Sequence, residues 1–400
     1  MELLIKKARV IDWCQDFIGD VYINNGIIME IGKDLYKQCE TIYAEGKALL
    51  PSFIDLHVHF RDPGYTYKED IITGSKAAVQ GGYTGVNLMA NTNPVCSSMD
   101  TVNYVRDKAK EINLVDVHQV MSITKNFDGR TLSHLDTLDN KVKIISEDGK
   151  DIMDSKIMLD AMVKAKEKNI IVMCHCENDE LTSSDTRLAE NTMTWRNITL
   201  AKYTGCSIHL AHVSTKESMK YIIDAKKEGY HVSCEVTPHH IGLTEKVNYK
   251  VNPPMRSRED VEYLIQAIRS GWVDTISTDH APHSLEDKLK GAPGISGLET
   301  AFPICYTKLV KGGCITINRL SKIMSKNPSK ILGFNKGEIK IGCEGDIVLV
   351  DLDRKYNIDT KKFSSKGKNT PFIGMQVYGE IYKTIKSGIV VYDSYKKGEY

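Results

Sequence analysis

The chain has 400 residues, and 53 Lys and Arg stand against 52 Asp and Glu, a formal net charge of +1. Hydrophobic residues make up 41% and charged residues 26%, which excludes a disordered chain, a collagen and a coiled coil. The charge balance argues against nucleic acid as the main partner, and no apolar run approaches the roughly 18 residues of a membrane span.

At roughly 100–200 residues per domain, the length allows two to four domains, or one large domain with an accessory. The start, Met1 to Lys7, meets charge too early for a signal peptide. Ten cysteines are too few for a disulfide scaffold, and they read as reduced thiols in a cytoplasmic protein. Residues 1–50 read as short strands. Asn25-Gly26 between two apolar stretches predicts a two-residue hairpin.

The middle, residues 51–336, alternates between strand and helix patterns. Strand-like runs fall at 52–59, 85–91, 115–124, 142–146, 170–175, 207–212, 230–237 and 275–279. Residues 154–168 carry Ile157, Met158, Met162 and Ala165 on one helical stripe, with Asn169 just beyond. Ser214-Thr215-Lys216-Glu217 predicts a capping box for a helix that Gly229 closes. Ser257 begins another helix, which ends before Gly271. Eight strands alternating with helices predict a parallel (β/α)₈ TIM barrel. A doubly wound open sheet is the alternative, but no Gly-rich phosphate turn follows the first strand. Residues 337–400 return to strands, including 345–351 and a hairpin at Ser387-Gly388. The two ends, 1–50 and 337–400, therefore predict one composite β-sandwich domain beside the barrel. The tail, 396–400, is expected to fray.

Barrel chemistry collects at the C-terminal ends of the strands. The first run ends in Asp55-Leu56-His57-Val58-His59, and alternation points His57 and His59 the same way. The fourth ends in Ser146-Glu147-Asp148-Gly149, the fifth in Cys174-His175-Cys176-Glu177, the sixth in His209 to His212, and the eighth in Asp279 to His283. A single strand-end histidine is more often a packed core residue. Five such ends on one face are not. Four His and two Asp would suit a two-metal hydrolytic centre. Cys174 and Cys176 alternate away from His175 and read as apolar fillers.

The string His57-Val58-His59-Phe60-Arg61-Asp62-Pro63-Gly64 resembles the signature of the single-function bacterial dihydroorotases of the amidohydrolase superfamily. So do Asn91-Thr92-Asn93-Pro94, Glu235-Val236-Thr237-Pro238-His239-His240, Asn252-Pro253-Pro254-Met255-Arg256 and Thr278-Asp279-His280-Ala281-Pro282-His283. The likeness runs through nearly the whole chain. It implies reversible cyclisation of N-carbamoyl-L-aspartate to dihydroorotate by two divalent metal ions, with zinc expected. His57, His59 and Asp279 match the ligands of one ion, and His175 and His212 those of the other. A bridging group is Asp148 in one branch of the family and a carboxylated lysine in others, for which Lys143 is the nearby candidate. Asp148 is favoured, because it lies in a turn beyond the strand end. Asp279 matches the general base.

Arg61, His59, Asn91 and His283 match contacts to the ring carboxylate and substrate. Asn252 matches a ring contact, and Pro293 and Gly294 a loop offering backbone groups. Here the sequence departs from the usual pattern, which has a Phe between that Pro and Gly. His239 and His240 read as packing groups, and His118, His134 and His231 as bland. A small molecule is the expected partner. A homodimer and an association with aspartate transcarbamoylase are compatible with the resemblance. The rival readings are another cyclic amidase, such as an allantoinase or hydantoinase, and an inactive scaffold for the transcarbamoylase.

Overall fold

A computed structural model describes residues 1–396. Of the tail expected to fray, Lys397, Gly398, Glu399 and Tyr400 lie outside the described residues.

Strands from both ends of the chain pair with one another. Asp16–Asn24 and Ile27–Gly32 form the expected hairpin, with Asn24 opposite Ile27. Asn25 and Gly26 take φ of 48° and 80°, as a two-residue primed turn requires. Gln376–Lys386 and Ile389–Asp393 repeat the device around Ser387 and Gly388, at 49° and 79°. Glu2–Ile11, Ala48–Pro51, Ile347–Asn357 and the short Glu40–Tyr43 complete a sheet of eight strands. A bridge from Ile27 to Glu344 ties the edge strand Ile27–Gly32 to the segment that leads into Ile347–Asn357. The sheet thus wraps round its own apolar core, where Leu3, Ile5, Val21 and Ile28 meet Leu349 and Ile385.

The eight runs in the middle are eight parallel strands: Phe53–Val58, Tyr83–Leu88, Asp116–Gln119, Ile144–Ser146, Ile171–Cys174, Ile208–Leu210, Val232–Val236 and Thr275–Ile276. Neighbours pair in chain order. A Met121–Ile145 bridge joins the third strand to the fourth, and a Val58–His280 bridge joins the first to the eighth. The ring therefore closes, and the doubly wound alternative fails. Helices pack outside it, buried on one face. Ser155–Glu167, for example, buries Met158, Ala161, Met162 and Ala165 and is capped by Asp154. Among the described residues no helix is long and apolar enough to cross a membrane.

One expected cap moves. The helix after the sixth strand is Lys216–Lys227, and its cap is Thr215, whose hydroxyl accepts from the Ser218 amide at 3.1 Å. Ser214 is not the cap, because its hydroxyl and amide both donate to the buried Glu190. Glu217 does not reach back either, since it pairs with Arg187 at 2.5 Å. A buried carboxylate must be satisfied, and that demand outweighs a local capping box.

The sheet and barrel are tied by Lys336. Its ammonium lies 2.6 Å from Asp346, 3.0 Å from Glu344, and against Asp116 at the start of the third barrel strand. Lys336 and Asp346 are both buried, and the carboxylates outweigh burial in holding the lysine charged. Lys336→Met is expected to strand a buried Asp346 charge and to cost about 3–5 kcal/mol in urea unfolding. An unchanged midpoint would show that the tie contributes nothing.

Candidate active site

The C-terminal ends of the barrel strands converge on Asp148. This residue follows the fourth strand, and its Oδ1 lies 3.3 Å from His57 Nε2, 3.2 Å from His175 Nδ1 and 3.6 Å from His212 Nε2. Its Oδ2 lies 3.5 Å from His59 Nε2. Asp279, beyond the eighth strand, brings Oδ1 to 3.2 Å from His59 and 3.6 Å from His57. The six side chains expected to hold metal therefore share one buried cluster. Lys143 is elsewhere: it precedes the fourth strand, at the opposite barrel end, and is exposed.

The outer nitrogens of three rings are held by fixed partners. His57 Nδ1 is 2.7 Å from Glu235 Oε1, His59 Nδ1 is 2.8 Å from Asn91 Oδ1, and His175 Nε2 is 2.9 Å from Glu177 Oε2. Each partner is an acceptor, so each ring can give that proton away and turn a lone pair inward. His57 Nε2 is buried with no hydrogen-bond partner, and His175 Nδ1 faces His212 Nε2 at 2.8 Å. Two facing imidazole nitrogens this close share either a proton or a metal ion. The electrostatics agree. Burial opposes charge on His175, but Asp148 and Glu177 push it up to about 10. Burial would raise the Asp148 carboxyl, yet His57 and the other rings hold it well below the usual range. The Asp279 carboxyl is likewise held down at about 2, against burial, by His59 and His57. A cluster that keeps its carboxylates ionised and gathers positive charge between its rings fits divalent metal ions.

A pocket of about 410 Å³ opens onto this cluster. His59, Arg61, Asn91, Asn252, His283, Pro293 and Gly294 all line it, with Asp148, His175, His212 and Asp279 at its floor. Arg61 Nε is buried without a hydrogen-bond partner, and among the described residues no carboxylate pairs with the guanidinium. Arg61 as a whole is half-buried, and a guanidinium with its Nε desolvated and unpaired is well placed to take an anion.

Residues 48–391 match the amidohydrolase family. A dihydroorotase of Clostridium botulinum (strain Eklund 17B / Type B) is 58% identical, across 98% of this chain and 100% of the relative. One from Acetivibrio thermocellus is 41% identical, across 97% and 98%. Among solved structures, a dihydropyrimidinase from Brevibacillus agri NCHU1002 superposes with a TM-score of 0.89 at 25% identity, covering 98% of this chain and 95% of that one. An L-hydantoinase (dihydropyrimidinase) from Arthrobacter aurescens gives the same score and identity, covering 98% and 96%. The chain belongs to the amidohydrolase family, among its dihydroorotases.

Within that family frame, some site groups are already engaged inside the protein. His283 Nε2 donates to the Pro293 carbonyl at 2.8 Å, and burial, with Arg61 and Lys68 nearby, holds its ring neutral, at about 3. The Gly294 amide donates to Lys250 O at 3.2 Å. Gly294 takes φ of 138°, and a Cβ there would meet Ala281 O at 2.6 Å, so this wall requires glycine. Asn252 Nδ2 donates to Glu177 Oε2 at 2.7 Å, which leaves its carbonyl for the pocket. His239 and His240 are buried at the end of the seventh strand, and His240 bonds Thr237 and the Pro253 carbonyl. Cys174 and Cys176 are buried away from the cluster, the latter against Asn197.

Three functional carboxylates had no role assigned from the sequence. Glu235 holds His57 and, at 3.2 Å, His209. Glu177 joins His175 to Asn252. Asp55 accepts from the His57 and Thr278 amides, tying the first strand to the eighth. An ionisable residue inside an apolar strand was the available signal for Asp55 and Glu235. Asp148→Ala is expected to lose bound metal on elemental analysis, and Lys143→Ala to retain it. The opposite pattern would make the lysine the bridge.

Proposed function

We propose that the pocket interconverts N-carbamoyl-L-aspartate and (S)-dihydroorotate, the ring-closing step of pyrimidine synthesis. One observation carries this reading: a half-buried Arg61, its Nε buried and without a partner, faces the same pocket as the His and Asp cluster. A cyclic amide with a carboxylate on its ring meets both. Two divalent ions are proposed, zinc by preference for imidazole and carboxylate donors; His57, His59 and Asp279 would hold one, His175 and His212 the other, and Asp148 would contribute to both. When bound, the ions supply Lewis acidity, making water nucleophilic near neutral pH and polarising the amide carbonyl.

The chain's own residues do the rest. Arg61 grips the ring carboxylate in a bidentate pair, with the Asn91 amide beside it. Asn91 gives its oxygen to His59, so its NH₂ remains for that carboxylate. Asn252 presents its carbonyl to the ring. Asp279 stays ionised, so it takes the proton of the attacking water and returns it to the leaving ring nitrogen. In cyclisation the same groups act in reverse, and the ureido nitrogen attacks a carboxylate. The family resemblance further supports a homodimer, alone or with aspartate transcarbamoylase. Ten free cysteines support a reducing, cytoplasmic setting.

Assay of dihydroorotate against allantoin and hydantoin tests the reading. Turnover of either other ring without dihydroorotate would overturn it, and failure to hold metal would favour an inactive scaffold. Asp279→Asn is expected to lower kcat by about 10²–10⁴-fold with the fold intact by circular dichroism. Near-native kcat would remove its role as base. Arg61→Met is expected to raise KM for dihydroorotate by about 10–100-fold, and an unchanged KM would count against the carboxylate contact.

A further inference from the structure

We infer that Lys288 is a positioning residue for substrate binding: its ammonium staples together the two loops that carry Asn252 and Pro293-Gly294. The inference rests on the dihydroorotase reading. Lys288 lies on the short helix Leu285–Leu289, outside the pocket lining, and reaches the substrate wall only through the Gly294 carbonyl. The helix itself is fixed by a capping box between Ser284 and Asp287.

A lysine ammonium has three donors. Here all three find backbone carbonyls: Ala292 O at 2.8 Å, Gly294 O at 3.1 Å and Lys250 O at 3.1 Å. The same ammonium sits 4.4 Å above the Tyr249 ring, a cation–π contact. One side chain therefore holds the 292–294 segment against the 249–252 segment. Three pocket features follow from that hold. Asn252 is two residues beyond the stapled Lys250. Gly294 is itself stapled. Pro293 lies between two stapled residues, and its carbonyl sets the His283 ring at 2.8 Å. Asn369 also donates to Gly294 O at 3.0 Å, and the Gly294 amide donates to Lys250 O at 3.2 Å, so Lys288 adds to one backbone bond between the segments and supplies the side-chain link.

The staple depends on charge. The titratable groups around it are Lys250 and Tyr249 on one loop and His283 ahead of the helix. Asp287, beside it on the helix, is turned to Ser284 and Lys68. Burial, then Lys250, lowers the Lys288 ammonium to about 8. Burial pushes Tyr249 up to about 12 and His283 down to about 3, so neither titrates between pH 7 and 9.5.

The experiment uses full-length, metal-assayed protein and the ring opening of dihydroorotate. Lys288→Met is expected to raise KM about tenfold, with kcat within about twofold and metal content unchanged. Lys288→Arg is expected to bring KM back within about threefold of native. The native KM should rise as pH passes about 8, where the ammonium is lost, and Lys288→Arg, which stays charged, should abolish that rise. An unchanged KM in Lys288→Met, or a loss confined to kcat or to metal, would overturn the inference. If Lys288→Met does not fold, the pH profile of Lys288→Arg decides, and a persisting rise refutes it. No turnover by the native protein would instead sink the dihydroorotase reading.

Discussion

A buried imidazole can turn a lone pair inward only if its other nitrogen has somewhere to send its proton. The whole centre is arranged around that constraint. Glu235 takes the outer side of His57, Asn91 that of His59 and Glu177 that of His175. The inner nitrogens then all point at Asp148 and Asp279. Removing an outer acceptor would free the ring to rotate or to hold its proton on the wrong side. The same acceptors also reach the substrate wall. Asn91 has its oxygen occupied and Asn252 has its nitrogen occupied, so the two amides present opposite ends to the pocket.

The barrel supplies the rigidity this requires. Asp55, fully buried in the first strand, accepts from the amides of His57 and Thr278 and so joins the strands that carry His59 and Asp279. Burial raises its carboxyl to about 7, against the pull of those bonds. Beyond the strand ends the backbone turns sharply. Arg61, His212 and Asp279 have φ of 60°, 34° and 48°, a region that non-glycine residues seldom occupy. Three such residues in one site show backbone strain held by the surrounding ring of strands.

The parts legible in the sequence were those with a local signature. Strand ends, hairpin dipeptides and the HxH alternation each depend on residues a few positions apart. Asp148 was separable from Lys143 because a three-residue strand puts them at opposite ends of the barrel. The acceptors behind the rings were not legible in the same way. Glu235 meets His57 across 178 residues, and nothing near either one announces the partner. The cap at Thr215 was misplaced for a related reason. Ser214 and Thr215 are both good caps locally, and the choice is made by Glu190, which lies on another helix and must satisfy its charge.

The near-zero net charge conceals a polar axis across the pocket. On one side Asp148, Asp279 and Glu177 stay ionised, each held down by neighbouring imidazoles. On the other stand Arg61, with no carboxylate of its own, and Lys68 beside a neutral His283. A carboxylate-bearing ring entering this field has one favourable orientation, with the carboxylate toward Arg61 and the amide toward the cation-gathering cluster. A neutral ring of the hydantoin kind would leave Arg61 unpaired and lose that orientation. On the proposed reading, the barrel and its cluster account for cyclic-amide chemistry in general, and the uncompensated Arg61 guanidinium is the group that would select which cyclic amide is held in register.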